Sequence, residues 1–304
     1  MQTPSIKIDT INLPCGLSFD LLRLDQIDSL ISGNKWFKLL PNLTKLTSGD
    51  LVASFGGPHS NHIHALAYSA RKQGLNSVGF IRGEPQSTPT LEDAQSCGMR
   101  LIFIERDIYR EKPIQWLADR YQLIDPHWIP EGGSNLNALL GCASIWQQAC
   151  LQGVNYDQVY VAVGSGGTMA GLIAGAPKET ELVGVSALGS RADLEERVSE
   201  LLIQVDPLQV DHSAQWSIEV ALQQRYGKVN AELAATQVRA QALGVTLDPI
   251  YTLRVFHYLN RLFIKGRLKD KRVLMVHTGG LQGLRAQQQR INRLANEFVG
   301  PLPF

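Results

Sequence analysis

Short apolar runs that end in paired glycines, each followed by a helical pattern, constrain this chain more than any other feature. Residues 51–55 run into Gly56-Gly57, residues 159–163 into Gly164-Ser165-Gly166-Gly167, and residues 272–277 into Thr278-Gly279-Gly280. Each run has the length of a buried strand, and the glycines permit the tight turn that follows. Further strands are expected over 77–81, 99–104 and 182–186, and helices over 61–73, 90–97, 135–151, 168–174 and 281–298. Strands alternating with helices predict βαβ units, hence an α/β fold of open twisted parallel sheets flanked by helices. The alternation forms one series before about residue 150 and another after it, and 304 residues can hold two such units.

Composition narrows the function. Lys and Arg number 29 against 28 Asp and Glu, a net charge of +1, which argues against a nucleic-acid binder. With no apolar stretch of about 18 residues, no membrane span is expected. The first residues lack the apolar core of a secretion signal, so a cytoplasmic location is expected. The four cysteines form no CxxC pair and no zinc-like spacing with histidine, so they read as thiols of a reduced protein and no metal is expected.

The Gly164-Ser165-Gly166-Gly167-Thr168 turn is the sharpest chemical signal. Its backbone N–H groups, two hydroxyls and the positive end of a helix suit a phosphate dianion. It lacks the Gly-Lys-Ser/Thr of a Walker loop, and Met169 stands where a dinucleotide fingerprint needs Gly or Ala. A second strand end carries His59-Ser60-Asn61-His62-Ile63-His64. Ser60 or Asn61 suits a helix cap. His62 and His64 are two apart and point to different sides of a helix, against a shared metal. Ser60 lies in no Gly-x-Ser-x-Gly elbow. Lys35 follows Gly33-Asn34, Glu131 to Asn135 offers another nest of backbone N–H groups, and Tyr251 and Thr252 stand at the expected start of a helix. A phosphate cradle with a separate lysine points to pyridoxal phosphate, which a lysine holds as a Schiff base.

Taken in order, these stretches resemble the pyridoxal-phosphate family of 1-aminocyclopropane-1-carboxylate (ACC) deaminases and D-cysteine desulfhydrases, which shares the tryptophan synthase β-like fold (fold type II). The resemblance spans nearly the whole chain. It rests on Gly33-Asn34-Lys35 with Lys38, Gly56-Gly57-Pro58-His59-Ser60-Asn61-His62, Gly132-Gly133-Ser134-Asn135, the 164–168 loop, Tyr226-Gly227, Asp248-Pro249-Ile250-Tyr251-Thr252 and His277-Thr278-Gly279-Gly280. It implies that Lys35 holds the cofactor and moves the substrate's α-proton, and that Ser60 grips the substrate carboxylate or relays a proton. It further implies that Asn61 meets the cofactor ring or its 3-oxygen, that Gly164, Ser165, Gly166, Gly167 and Thr168 bind the phosphate, and that His62 lies with Ser60 and Asn61 on the substrate. Tyr251 and Tyr226 match active-site tyrosines. Thr252 stands where the deaminases carry a glutamate facing the pyridine nitrogen, which points to the desulfhydrase branch. Phe37, His59, Leu253 and Arg254 depart from the family pattern.

The resemblance implies a lyase that removes an α-proton and a β-substituent from a small amino acid, converting D-cysteine to pyruvate, ammonia and sulfide. ACC deamination to 2-oxobutanoate is the alternative within the family, and a cofactor-binding carrier or regulator with little turnover the alternative outside it. The expected organisation is a smaller domain, 38–148, inserted into a larger one made of 1–37 and 149–304, in a homodimer.

Overall fold

The structure is a computed structural model and describes residues 5–14, 16–148, 151–187, 190–205, 208, 212–221, 228–285 and 287–298. Its strands form two sheets. The first part of the chain contributes β1 (Ile8–Asn12) and β2 (Ser18–Arg23), then α1 (Asn34–Leu43). A βα series follows: β3 (Leu51–Gly56), α2 (Asn61–Gln73), β4 (Asn76–Arg82), α3 (Pro89–Ser96), β5 (Arg100–Ile104), α4 (Arg106–Glu111), α5 (Ile114–Arg120) and β6 (His127–Ile129). After α6 (Leu136–Ala143) a second series runs β7 (Gln158–Val163), α7 (Gly167–Gly175), β8 (Glu181–Ser186), α8 (Arg191–Ile203) and β9 (Trp216–Glu219). It continues through α9 (Ala231–Ala242), α10 (Thr252–Ile264) and β10 (Val273–His277), and closes with α11 (Gln282–Arg285) and α12 (Gln288–Asn296).

The four-stranded sheet, ordered β5-β4-β3-β6, is parallel throughout. The six-stranded sheet, ordered β1-β2-β10-β7-β8-β9, is parallel except for the β1–β2 pair. Every residue of β7 and β10 is buried, as strands covered by helices on both faces require.

Each sheet reverses its direction of winding once. In the smaller sheet the reversal lies between β3 and β6, and in the larger between β7 and β10. Ligands of open α/β sheets bind in the crevice at the carboxyl ends of the strands at such a reversal. The four strand ends involved lead into Gly57–Ser60, Glu131–Ser134, Gly164–Thr168 and Thr278–Gly279, and residues of all four line one cleft. The topology thus brings together the glycine-rich turns on which the sequence reading rested.

Local chemistry sets several elements. The Ser60 hydroxyl caps α2 by accepting the Ile63 N–H at 3.3 Å, and Gly74 ends that helix in the left-handed region at φ 69°. Pro41 within α1 has no N–H to offer the Phe37 carbonyl, and Gly141 of α6 packs where any side chain would strike that carbonyl. The helix expected over 135–151 is shorter: α6 ends at Ala143 and tightens into a 3-10 turn, Ser144–Gln147, with the Ser144 hydroxyl donating to the Gly141 carbonyl at 2.7 Å. The helix expected over 281–298 is split into α11 and α12.

Candidate active site

The cleft has a volume of about 750 Å³. Lys35, in the first turn of α1, opens onto it and donates from Nζ to the Gly132 carbonyl at 3.1 Å. Lys38 lies one turn further on the same helix face, 1% exposed, and its Nζ donates to Ser134 Oγ at 2.8 Å. Ser134 Oγ and Ser165 Oγ are 2.6 Å apart, so the chain of polar groups reaches the glycine loop. Burial first, and the charge of Lys38 second, hold Lys35 well below the usual lysine range, which favours its neutral, nucleophilic amine. Burial brings Lys38 down to about 8.

The glycine loop fits an anion and excludes side chains. Gly166 caps α7 at φ 86°, a conformation that favours glycine. A Cβ on Gly167 would stand 2.7 Å from Ser134 Oγ and 3.1 Å from Lys38 Nζ, so a side chain would displace the very donors that face the loop. Asn34 Nδ2 donates to Thr168 Oγ1 at 2.6 Å and ties α1 to the start of α7. Of the loop, Gly164, Ser165, Gly166 and Thr168 line the cleft, and Gly167 stands just behind them.

Across the cleft stand Ser60, Asn61 and His62. Ser60 thus caps α2 and also faces the cavity. Asn61 Oδ1 is buried without a partner among the described residues, and its amide fills the space that a side chain on Gly280 would need. Ser54 Oγ donates to the Ile129 carbonyl at 2.8 Å, so the His62 Nε2 that meets it at 2.8 Å carries the proton. His62 Nδ1 is then a bare acceptor, buried without a partner among the described residues. Burial, then the charges of Lys35 and Lys38, hold this imidazole well below its usual range and neutral.

Tyr251, half-buried, lines the cleft at the start of α10. Asp248 Oδ1 holds it there by accepting the N–H groups of Ile250 at 3.0 Å and Tyr251 at 2.6 Å. Thr252 does not reach the cavity: its Oγ1 accepts the Asp248 N–H at 2.8 Å and its side chain is fully buried behind the wall. Thr278, by contrast, does line the cleft. Tyr226 lies outside the described residues. Of the four departures, His59 alone stands on the cleft wall. Phe37 and Leu253 belong to the core, and Arg254 is buried with Nε donating to the Ile250 carbonyl at 3.1 Å. Sequence reading gave no role to Lys38 beyond its motif, nor to Ser134. The i, i+3 relation of Lys38 to Lys35, and the Gly-Gly-Ser nest that holds Ser134, were the available signals.

Residues 2–279 match the protein family described as "Pyridoxal-phosphate dependent enzyme". The chain belongs to that family. It is a pyridoxal-phosphate-dependent enzyme, and the residues fit the group: a donor-lined cradle, two lysines and orphaned acceptors at Asn61 and His62 converge on one cleft. The D-cysteine desulfhydrase of Serratia proteamaculans is 32% identical over 315 residues, covering 95% of this chain and 94% of its own length. A Pyrococcus furiosus protein, provisionally named an ACC deaminase, is 30% identical over 300 residues, covering 93% and 90%. The crystal structure of an ACC deaminase homologue superimposes with a TM-score of 0.84 at 26% identity, covering 95% of this chain and 94% of that one. Maize serine racemase shares the fold, with a TM-score of 0.67 at 13% identity and coverage of 96% and 93%. The α/β, tryptophan synthase β-like architecture and the lyase and deaminase chemistry expected from the sequence agree with these likenesses.

Proposed function

We propose that the enzyme removes the α-proton and the β-substituent of a small amino acid, D-cysteine being the reference substrate, to give pyruvate, ammonia and the released group. Bound pyridoxal phosphate supplies the electron sink that makes the α-proton removable. The observation that carries the reading is the position of Lys35: a half-buried amine, held well below the usual lysine range by its surroundings, on the wall of the cleft that the glycine loop and Ser60–His62 also line. Lys35 Nζ holds the cofactor in the resting enzyme and takes the α-proton during turnover. Lys38, Ser165, Thr168 and the N–H groups of 164–168 bind the phosphate. Ser60 Oγ, fixed by its capping bond, grips the substrate carboxylate or relays a proton, and His62 with Asn61 completes that end. Asn61 meets the ring or its 3-oxygen. Tyr251 Oη moves a proton at the opposite wall, with Tyr226 proposed beside it. Thr278, on the cleft wall, would offer its hydroxyl to the ring nitrogen of the cofactor, and Thr252, bonded to Asp248, acts as a positioning residue.

The reading extends to organisation: a domain of 38–148 inserted into one of 1–37 and 149–304, in a homodimer in the cytoplasm. The purified protein is expected to be yellow, with borohydride fixing the cofactor on Lys35. Label on Lys38, or a colourless protein that takes up no cofactor, would overturn the assignment. A panel of D- and L-amino acids with ACC, scored for keto acid and sulfide, distinguishes elimination from ring opening. Cofactor bound with no turnover across that panel would favour the carrier alternative.

A further inference from the structure

Besides the Lys35 amine, the cleft wall carries four cationic side chains, Lys38, Arg82, Arg197 and Arg290, against one carboxylate among the described residues, Glu131. That carboxylate is already engaged: it accepts the Tyr109 hydroxyl and pairs with Lys112 Nζ at 3.1 Å. The lysines lie deep, at the glycine loop. Arg197 precedes Val198, which packs behind Gly166, so it neighbours the phosphate loop as well. Arg82 is placed differently. It is the last residue of β4, its guanidinium carbon lies 5.6 Å from the centre of the Tyr109 ring, and its Nη2 is 3.6 Å from the position a Cβ would take on Gly57. The ring contact orients the guanidinium beside the loop that carries Ser60. Arg290 comes from α12 at the cleft's rim. Among the described residues, neither Arg82 nor Arg290 forms an ion pair with a carboxylate.

A guanidinium held at a cleft with its fork unpaired is suited to bidentate capture of an oxyanion. In a partly enclosed cleft with an excess of one charge sign, the field concentrates ligands of the opposite sign. A neutral amino acid brings one anion, its α-carboxylate, which the Ser60 end receives. We propose that this cleft selects amino acids bearing a second anionic group at the β-carbon, and that Arg82, assisted by Arg290, receives that group. The shared chemistry is a β-linked oxyanion, whether carboxylate, sulfonate or phosphate ester. The proposal rests on the elimination reading for its turnover. With a sulfonate or phosphate ester, the α C–H bond gives its proton to Lys35. The Cβ–S or Cβ–O bond breaks with its electron pair on the departing sulfite or phosphate. One water then supplies the keto oxygen as ammonia leaves, and no external oxidant or reductant enters.

The test uses ligands without an α-hydrogen, so that binding is measured apart from turnover. The cofactor-loaded protein is titrated with α-methylaspartate and α-methylserine by calorimetry and by the cofactor's absorbance, at low and at high salt. The expectation is at least about tenfold tighter binding of the anionic analogue, an advantage that shrinks with salt. Arg82→Gln should bring α-methylaspartate down to the level of α-methylserine, and Arg82→Lys should retain part of the advantage. Equal affinities in the native protein, or an undiminished preference in Arg82→Gln, would overturn the inference. Turnover of cysteate, O-phosphoserine and D-cysteine separates the two readings. Keto acid from D-cysteine with no preference for either charged substrate sinks this inference alone. Preferential binding of the anionic analogue without keto acid from any substrate sinks the elimination reading alone.

Discussion

At the scale of single residues, the site is costly to the fold that carries it. Lys35 and Lys38 stand one turn apart, both held below the normal lysine range by burial. For Lys38 the folded value of about 8 lies below the ordinary 10.5, so between those values the unfolded chain binds more protons. Stability therefore rises with pH across that window, and below pH 8 the full burial penalty is present. Lys38→Met should raise the thermal midpoint of the cofactor-free protein near pH 7 and flatten its rise between about pH 8 and 10. The same change should weaken cofactor binding at least about tenfold in a spectral titration. Unchanged melting and unchanged affinity together would show that Lys38 serves neither role. Asp248 works in the opposite sense. Burial pushes its carboxyl up to about 7 from 3.8, so the folded state binds more protons in that interval and stability declines as pH rises through it. Asp248→Asn keeps an oxygen for the Ile250 and Tyr251 N–H groups. It should be more stable than the parent at pH 8 by about 1–3 kcal/mol, with a flatter urea midpoint between about pH 4 and 7. A variant less stable at pH 8 would mean that the ionised form is the one the turn requires. The chemistry of these residues was partly legible: Lys35 and Tyr251 stood in recognisable company, whereas the burial that sets Lys38 and Asp248 depends on neighbours distant in the chain.

Elements were most legible where local signals agreed. β3 and α2 could be read almost to the residue because an apolar run, a capping serine and a closing glycine lie in sequence. β1 and β2 went unread because β1 is largely open on one side and their antiparallel pairing interrupts an otherwise parallel pattern. α1 carries Pro41 in its interior, a residue that argues against a helix until Gly141, with no side chain, is seen to leave room for the Phe37 carbonyl. The contact of α6 with α7 rests on glycines in the same way. A Cβ on Gly171 would stand 2.6 Å from the Leu139 carbonyl and press on Cys142, and one on Gly175 would stand 2.6 Å from the Ala143 carbonyl. Because α7 begins at the glycine loop, pushing these helices apart shifts that loop. Gly171→Ala should cost on the order of 2–4 kcal/mol in urea denaturation and lower cofactor affinity. A full-strength site on a destabilised fold would separate the packing of the helices from the placing of the loop.

For the whole molecule, the motifs announced strand ends but not which ends meet. That depends on strand order, and two winding reversals facing one cleft cannot be inferred from the spacing of Gly57, Glu131, Gly164 and Thr278 along the chain. The same non-local arrangement creates a polar bridge between elements flanking the two sheets. His64 of α2 meets Asp93 of α3 at 3.1 Å, and Gln282 of α11 donates to His64 Nδ1 at 3.2 Å. Arg285, also of α11, pairs with Asp93. Donation from Gln282 makes Nδ1 the acceptor, so His64 presents its proton from Nε2 to Asp93 and both ring nitrogens are satisfied in the neutral form. Burial keeps it in that form by holding the imidazole below its usual range, against the pull of Asp93. Asp93 is therefore the shared partner of two groups on two elements, one beside the four-stranded sheet and one following β10 of the six-stranded sheet. Asp93→Ala should remove both links while leaving the interior of each sheet intact. Amide exchange is expected to quicken in α3 and α11, with β3 and β7 keeping their protection, and global stability should fall by only about 1–2 kcal/mol because Arg285 is half exposed. Exchange that quickens equally in β7 would make the bridge part of the global core, and exchange unchanged in α11 would show that packing alone holds the two parts together.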